Sequence, residues 1–140
     1  MADRHKLERF IAAQADVYDN ALAELRNGRK RSHWMWFIFP QIAGLGMSAM
    51  SQLYAIRSRE EAAAYLAHPL LGPRLAECTG AVLDHAGKAS AGEIFGGIDA
   101  VKFRSSMTLF EAVAGEQDRY GRAIDVFFEG ERDPATLRLL

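Results

Sequence analysis

Apolar positions recur at intervals of three and four residues along most of this chain, the spacing of helices that bury one face. The clearest stripe is formed by Leu7, Phe10, Ile11, Gln14, Val17, Tyr18, Ala21, Leu22 and Leu25. Asp3 can cap the start of this helix, and Asn27-Gly28 supplies a left-handed stop. The pattern therefore predicts one long amphipathic helix at the start of the chain.

Further helices are predicted where capping residues precede apolar runs. They are expected after Ser48, from Ser58 to Pro69, over 73–86, after Asp99, over 116–129 and after Asp133-Pro134, with a brief turn at Ser90-x-x-Glu93. Residues 34–39 are apolar on both faces, which fits either a buried strand or a buried helical turn. Because one strand cannot make a sheet, we predict an all-α fold. We expect a compact single domain, residues 1–140, of about six to seven helices around a buried aromatic segment.

Composition narrows the class of protein. The 140 residues are 49% hydrophobic and 25% charged with a net charge of −1, so binding of nucleic acid over the whole surface is not expected. Cys78 is the single cysteine, which excludes a disulfide framework. No apolar run approaches the roughly 20 residues of a membrane span, and the first residues lack an apolar signal core. We expect a cytoplasmic protein without a membrane contact, a metal or a cofactor.

The most informative stretch is residues 29–48, where a basic run meets both tryptophans. Trp34 and Trp36 lie two residues apart, directly after Arg31, Ser32 and His33. Aromatic faces can stack on a base or another flat ring, and an adjacent arginine can bind phosphate. The same tryptophans can equally belong to the core, since large aromatic side chains usually pack inside. The sequence leaves core and pocket open for both residues.

A glycine-containing segment follows the tryptophans. Gln41, Gly44, Gly46 and Ser48 are candidate ligand-binding residues there, and Ser48 can cap a helix whose N-terminus faces an anion. The segment is not a dinucleotide fingerprint, because it lacks the third glycine and a preceding βαβ strand. A plain turn remains the alternative.

The second dense segment is 99–110. On a helix, Asp99, Lys102 and Ser106 fall on one face, with Ser105 beside them. A lysine flanked by an aspartate and hydroxyls can orient a polar ligand or take part in acid–base chemistry, so Asp99, Lys102 and His33 are the catalytic candidates. An exposed ion pair between Asp99 and Lys102 is the alternative. The four histidines have no metal-ligand spacing.

Three motifs together resemble a known family. They are Ser32-His-Trp-Met-Trp-Phe-Ile-Phe-Pro-Gln-Ile-x-Gly-Leu-Gly-x-Ser48, Ala64-Tyr-Leu-x-His-Pro-x-Leu-Gly-x-Arg-Leu75 and Phe95-Gly-x-x-Asp-x-x-Lys-Phe-x-Ser-Ser-Met-Thr-Leu-Phe110, preceded by Arg9-Phe-x-x-Ala-Gln14. In this order they resemble the bacterial family catalogued as domain of unknown function 1810, whose members are often mislabelled calpastatin. The resemblance implies a small, mostly helical cytoplasmic protein and no established activity. Calpain inhibitors are disordered, whereas this chain has the composition of a protein with a core.

The order of the motifs also resembles the helical N-glycosidases that act on ADP-ribose-type or ribosyl-phosphate compounds. Those enzymes carry a glutamate beside the histidine of their aromatic motif, and Ser32 occupies that place here.

These observations lead to one expectation and two alternatives. We expect a pocket for a phosphorylated or nucleotide-like small molecule, lined by residues 33–48 and the helix 99–110. The alternatives are an N-glycosidase-like hydrolase, and a protein-interaction module that uses the tryptophan segment as its interface. Whether the protein is an enzyme, and what its protein partner or oligomeric state would be, stays open at this point.

Overall fold

A computed structural model describes residues 3–140, and ten helices lie within that range. They are α1 (Glu8–Gln14), α2 (Tyr18–Arg26), α3 (Met35–Ile38), α4 (Ala49–Leu53), α5 (Arg59–Ala67), α6 (Leu71–Leu83), α7 (Ala91–Phe95), α8 (Gly97–Val113), α9 (Arg119–Phe127) and α10 (Pro134–Leu139). The long helix α8 packs against α5, α7, α9 and α10, while α6 packs against α2, α5 and α9. The fold is therefore organised around α8.

The all-α prediction is confirmed, and the predicted count of six to seven helices is wrong. The expected first helix is divided at residues 15–17, where Ala15 and Val17 donate to carbonyls three residues back and tighten the chain. The stretch 34–39 contains the helical turn α3, and the brief turn at Ser90 is the short helix α7. Within the described residues, extended pairing is limited to one isolated parallel bridge between Ile42 and Ile56.

The aromatic segment lies inside the molecule. Trp34 and Phe39 have no exposed surface, and the Phe39 ring meets Phe103 of α8 edge-on at a centroid distance of 5.0 Å. Phe95 stacks on Phe103 at 4.7 Å. Edge-on and offset pairs are the arrangements that aromatic rings prefer, so this cluster ties α3 and α7 to α8.

Several predicted helix starts are occupied by the expected capping side chains. The Asp3 carboxylate accepts from the backbone N–H of Leu7, Ser58 accepts from Glu61, and Asp133 accepts from Thr136. Asp99 does not cap its helix. The helix α8 begins at Gly97, three residues before the start that an Asp99 cap would give, so Asp99 lies in the first turn, where a carboxylate is favoured by the helix dipole.

Cys78 lies on the buried face of α6. Burial raises the pKa of its thiol to about 12, so the side chain behaves as a small apolar group. A helix long and apolar enough to cross a membrane does not occur among residues 3–140.

Candidate functional site

A cavity of about 430 Å³ opens where the loop after α3 meets α8 and the start of α10. Its walls are formed by Gln41, Leu45, Gly46, Ser51, Ile98, Val101, Lys102, Ser105, Asp133 and Ala135. Four of these, Gln41, Gly46, Lys102 and Ser105, are among the residues that the sequence proposes as a site. We call this space the interhelical cavity.

The loop wall is held by backbone hydrogen bonds to the segment between α4 and α5. Ile56 N–H donates to the carbonyl of Gln41 and Ala43 N–H donates to the carbonyl of Ile56, both at 2.8 Å, which fixes the start of the loop. At Gly46, an added Cβ would lie 2.5 Å from Ser51 Oγ. Only glycine permits this approach of the loop to α4 without a shift of Ser51.

The helical wall comes from one face of α8. Ile98, Val101, Lys102 and Ser105 follow the three- and four-residue spacing of a single helix face. The centre of this face, Ile98, Val101 and Ser105, precedes the predicted face Asp99, Lys102 and Ser106 by one residue, about 100°, and only Lys102 belongs to both faces. Ser106 consequently lies in the interior with no exposed surface, where its hydroxyl has no hydrogen-bond partner among the described residues.

The third wall is the start of α10. Asp133 Oδ2 accepts from Ser105 Oγ at 2.9 Å and also caps α10 through Thr136. Burial raises the pKa of Asp133, but hydrogen bonds from Thr136 and Ser105 outweigh it and leave the pKa below its usual value. The cavity wall therefore carries a fixed carboxylate at neutral pH, which the sequence showed only as a helix cap.

Two lysines share the Asp99 carboxylate beside the cavity. Lys30 Nζ lies 2.8 Å from Asp99 Oδ2 and Lys102 Nζ lies 3.7 Å from Oδ1. Each ammonium group also faces a tryptophan ring, Lys30 over Trp34 at 5.0 Å and Lys102 over Trp36 at 5.2 Å. Asp99 is already paired with the buried Lys30. Its single negative charge therefore does not fully neutralise Lys102, whose ammonium group leaves the cavity wall with a partial positive charge.

Glu24 of α2 shapes the basic segment that leads to Lys30. Its carboxylate accepts from the backbone N–H of Arg31 and Ser32, from Trp34 Nε1 at 2.9 Å, from the Ser32 hydroxyl and from Asn20. Burial raises the pKa of Glu24, but these hydrogen bonds outweigh it and lower the pKa to about 2. These hydrogen bonds hold residues 31–34 around the ionised glutamate and keep the Trp34 ring in the core.

The remaining predicted residues lie outside the interhelical cavity. Arg31 and His33 are exposed and do not line it, and Trp34 has no surface on which a ligand could stack. Trp36 is half-buried and does not line the cavity, but its ring contacts the cavity residue Lys102. Asp99 likewise contacts Lys102 without lining the cavity, so Asp99, Lys102 and His33 do not converge on one concave surface.

Gly44 and Ser48 also lie away from this cavity. Gly44 lines a smaller neighbouring space, which shares Gln41, Gly46 and Ser51 with the interhelical cavity. Ser48 is exposed and caps α4 by accepting from Ser51 N–H at 3.1 Å. The tryptophan segment offers little apolar surface for a protein interface, because Trp34, Phe37, Ile38 and Phe39 are buried.

Fold and cavity together define a small all-α protein with a concave, mixed apolar and polar surface beside its central helix. The chain belongs to the family described as "Protein of unknown function (DUF1810)", which matches residues 4–140. The resemblance seen in the three motifs is thereby confirmed over nearly the whole chain.

A solved structure shows the same fold. The crystal structure of the conserved hypothetical protein Rv1873 from Mycobacterium tuberculosis superimposes with a TM-score of 0.95 and is 48% identical in sequence. The similarity covers 99% of this chain and 98% of that chain. No curated protein matches the chain.

Proposed function

We propose that this protein binds a small phosphorylated or nucleotide-like molecule in the interhelical cavity. The anionic group would lie at Lys102 and the flat or apolar part against Leu45, Ile98 and Val101. The observation that carries the proposal is the position of Lys102, a cation on a largely apolar wall whose partner Asp99 is shared with Lys30. The Asp133 carboxylate on the same wall accepts hydrogen bonds from Ser105 and Thr136, which offset its negative charge locally. A few polar groups on an apolar concave surface are the usual composition of a small-molecule site.

The apolar part of the wall supports an organic ligand more than a free ion. Ile98 is 78% exposed and Val101 is 60% exposed, although both belong to the central helix. Exposed aliphatic side chains at a cavity mouth lower the free energy of a complex when a ligand covers them. A volume of about 430 Å³ fits the range of small-molecule sites, roughly 300–1,000 Å³.

Lys102→Met tests the proposal, because methionine keeps the unbranched stem of the lysine and removes its charge. Trp36 reports on the site through its contact with Lys102, so binding of adenosine monophosphate or ribose 5-phosphate should change tryptophan emission in a saturable way. We expect the variant to bind these probes about tenfold more weakly, the loss of one charge-assisted contact. Calorimetric titration gives the same constants independently of the fluorescence.

Arg31→Gln is the matched control, since it removes an exposed cation of the same region that does not line the cavity. Its affinity should equal that of the unmodified protein. If no phosphorylated probe binds, or if Arg31→Gln weakens binding as much as Lys102→Met, the proposed site is wrong.

Hydrolysis of an N-glycosidic bond is a second candidate, favoured by the carboxylate of Asp133 on the same wall as Lys102. Glu24 is less suited to that role, because hydrogen-bond donors occupy both of its oxygens. Asp133→Asn keeps a helix-capping side chain and removes the charge. In such a reaction water adds to C1 of the ribose and the base leaves with a proton, so a hydrolase would release the free base from ADP-ribose-type compounds, or base and ribose phosphate from ribosyl-phosphate compounds. Chromatography measures this release, which would disappear in the variant.

A further inference from the structure

A second concave surface, separate from the interhelical cavity, is lined mainly by basic residues. It has a volume of about 470 Å³ and lies between the segment before α1, the end of α4 and the start of α5. Its lining residues are Arg4, His5, Lys6, Arg9, Leu53, Arg57, Ser58 and Glu61. Four of them are permanent cations and one is a carboxylate, in a chain whose net charge is −1. We call this surface the basic cavity.

Three of the four cations have no carboxylate partner among residues 3–140. Glu61 lies 2.7 Å from Arg9, and Arg4, Lys6 and Arg57 form no ion pair within 4.0 Å in the described part of the chain. The neighbouring Asp3 is engaged instead in accepting from the N–H groups of Leu7 and Glu8. Like charges held together repel one another, and a bound anion would relieve that repulsion.

Arg9 holds the walls of the basic cavity in place. Its guanidinium donates to the carbonyls of His5 and Lys6 on one side and to those of Leu53 and Ala55 on the other, at 2.8 to 2.9 Å. With Glu61 as a further acceptor, every nitrogen of the group has a partner. The backbone segments that carry Arg4, Lys6 and Arg57 are thereby held in place, so binding would require ordering of their exposed side chains and little ordering of the backbone.

Lys6 adopts a backbone conformation that favours glycine. Its φ is +54°, in the left-handed region, and its carbonyl accepts from Arg9 Nη1. A non-glycine residue in this region costs conformational energy, which the hydrogen bond from Arg9 helps to offset. Glycine at this position would keep the turn and lose only the ammonium group.

We propose that the basic cavity is a binding site for a small polyanion with two or more linked phosphate groups. Inorganic pyrophosphate carries several negative charges close together at neutral pH, which suits the cluster of three unpaired cations. Arg4 and Arg57 supply guanidinium groups, whose geometry suits two phosphate oxygens at once. This site is independent of the proposed ligand of the interhelical cavity, where Lys102 is the cation on the wall.

The dimensions of the cation cluster favour a small molecule over nucleic acid. The three unpaired cations Arg4, Lys6 and Arg57 share one cavity, whereas a nucleic-acid surface usually extends as a basic stripe or gives the whole domain a high pI. The pI of this chain is about 6.4. A small ligand that carries its charges close together therefore fits the cavity better than an extended phosphate backbone.

Calorimetric titration of the full chain with inorganic pyrophosphate, at about 50 mM salt to limit screening, tests this site. We expect saturable binding that Lys6→Gly and Arg57→Gln each weaken about tenfold, as expected for one charge-assisted contact. Lys6→Gly should leave the melting temperature equal or higher, so weaker binding in that variant cannot be due to unfolding. Arg29→Gln, which removes an exposed cation that lines neither cavity, should bind pyrophosphate as the unmodified protein does.

Three outcomes would overturn the assignment. The first is the absence of saturable binding, and the second is an equal loss of affinity in Arg29→Gln. The third is tighter binding of a single-stranded oligonucleotide than of pyrophosphate, competed by pyrophosphate and weakened by Lys6→Gly, which would assign the surface to nucleic acid.

Discussion

Gly72→Ala is expected to lower the free energy of unfolding by at least about 3 kcal/mol. Gly72 is buried near the start of α6, where that helix meets the end of α5. A Cβ at this position would lie 2.1 Å from the carbonyl oxygen of Leu66. Because the obstacle is backbone and not a flexible side chain, α5 and α6 would have to separate, and the contacts between them would be lost.

The matched control lies on the same helix. At Gly80 an added Cβ would have no neighbour within 4 Å, so Gly80→Ala should raise the free energy of unfolding by about 0.5–1 kcal/mol through the better helix propensity of alanine. Urea unfolding of the two variants and the unmodified protein measures both changes. Equal stability of Gly72→Ala and the unmodified protein would show that α5 and α6 can move apart at little cost.

Glu24→Gln is expected to cost about 3 kcal/mol of stability at pH 7. The carboxylate accepts from five donors, and the amide that replaces it would turn N–H toward groups that themselves donate, including Asn20 and Ser32. Trp34 would lose the acceptor of its indole N–H or share a poorer one. Denaturation followed by tryptophan emission measures the loss.

The same residue predicts an acid dependence. The pKa of Glu24 falls from 4.5 to about 2 on folding, so its stabilising contribution is complete above pH 4.5 and is lost as the pH falls toward 2. The stability of the unmodified protein should decrease across this window more steeply than that of Glu24→Gln. Glu116→Gln, which replaces an exposed glutamate, should change stability by less than about 0.5 kcal/mol and keep the full acid dependence. A parallel decrease in all three proteins would refute the role of Glu24.

Much of the helical architecture can be predicted from the sequence, because the signals at helix ends are local. Asp133-Pro134 and Ser58-x-x-Glu61 each begin a helix where the pattern places one. The division between α1 and α2 cannot be predicted from the sequence, because the apolar stripe continues without a break across residues 15–17. Only the backbone hydrogen bonds change there, to carbonyls three residues back. The helical state of 34–39 is not visible either, because a segment buried on all sides has no period to distinguish helix from strand.

The sequence predicts which segments form the candidate site, but not which of their side chains face it, because tertiary contacts decide that orientation. The motifs identify the loop and the helix that form the cavity, and Lys102 and Gly46 lie on its walls. Trp34 turns inward because Glu24, ten residues earlier, accepts from its ring, a contact that no local pattern encodes. Asp133 and Ser51 reach the cavity through tertiary packing, whereas the sequence indicates only a helix cap at Asp133 and no role for Ser51 inside α4.

The burial of Cys78 has a practical consequence for following this protein in solution. The thiolate is the reactive form of cysteine, and a thiol with a pKa of about 12 in the core supplies almost none of it at neutral pH. A cysteine introduced at the exposed position of Ile98 would therefore be the one residue that maleimide reagents modify in the native state. A fluorophore could be attached at the mouth of the interhelical cavity without first removing the natural cysteine.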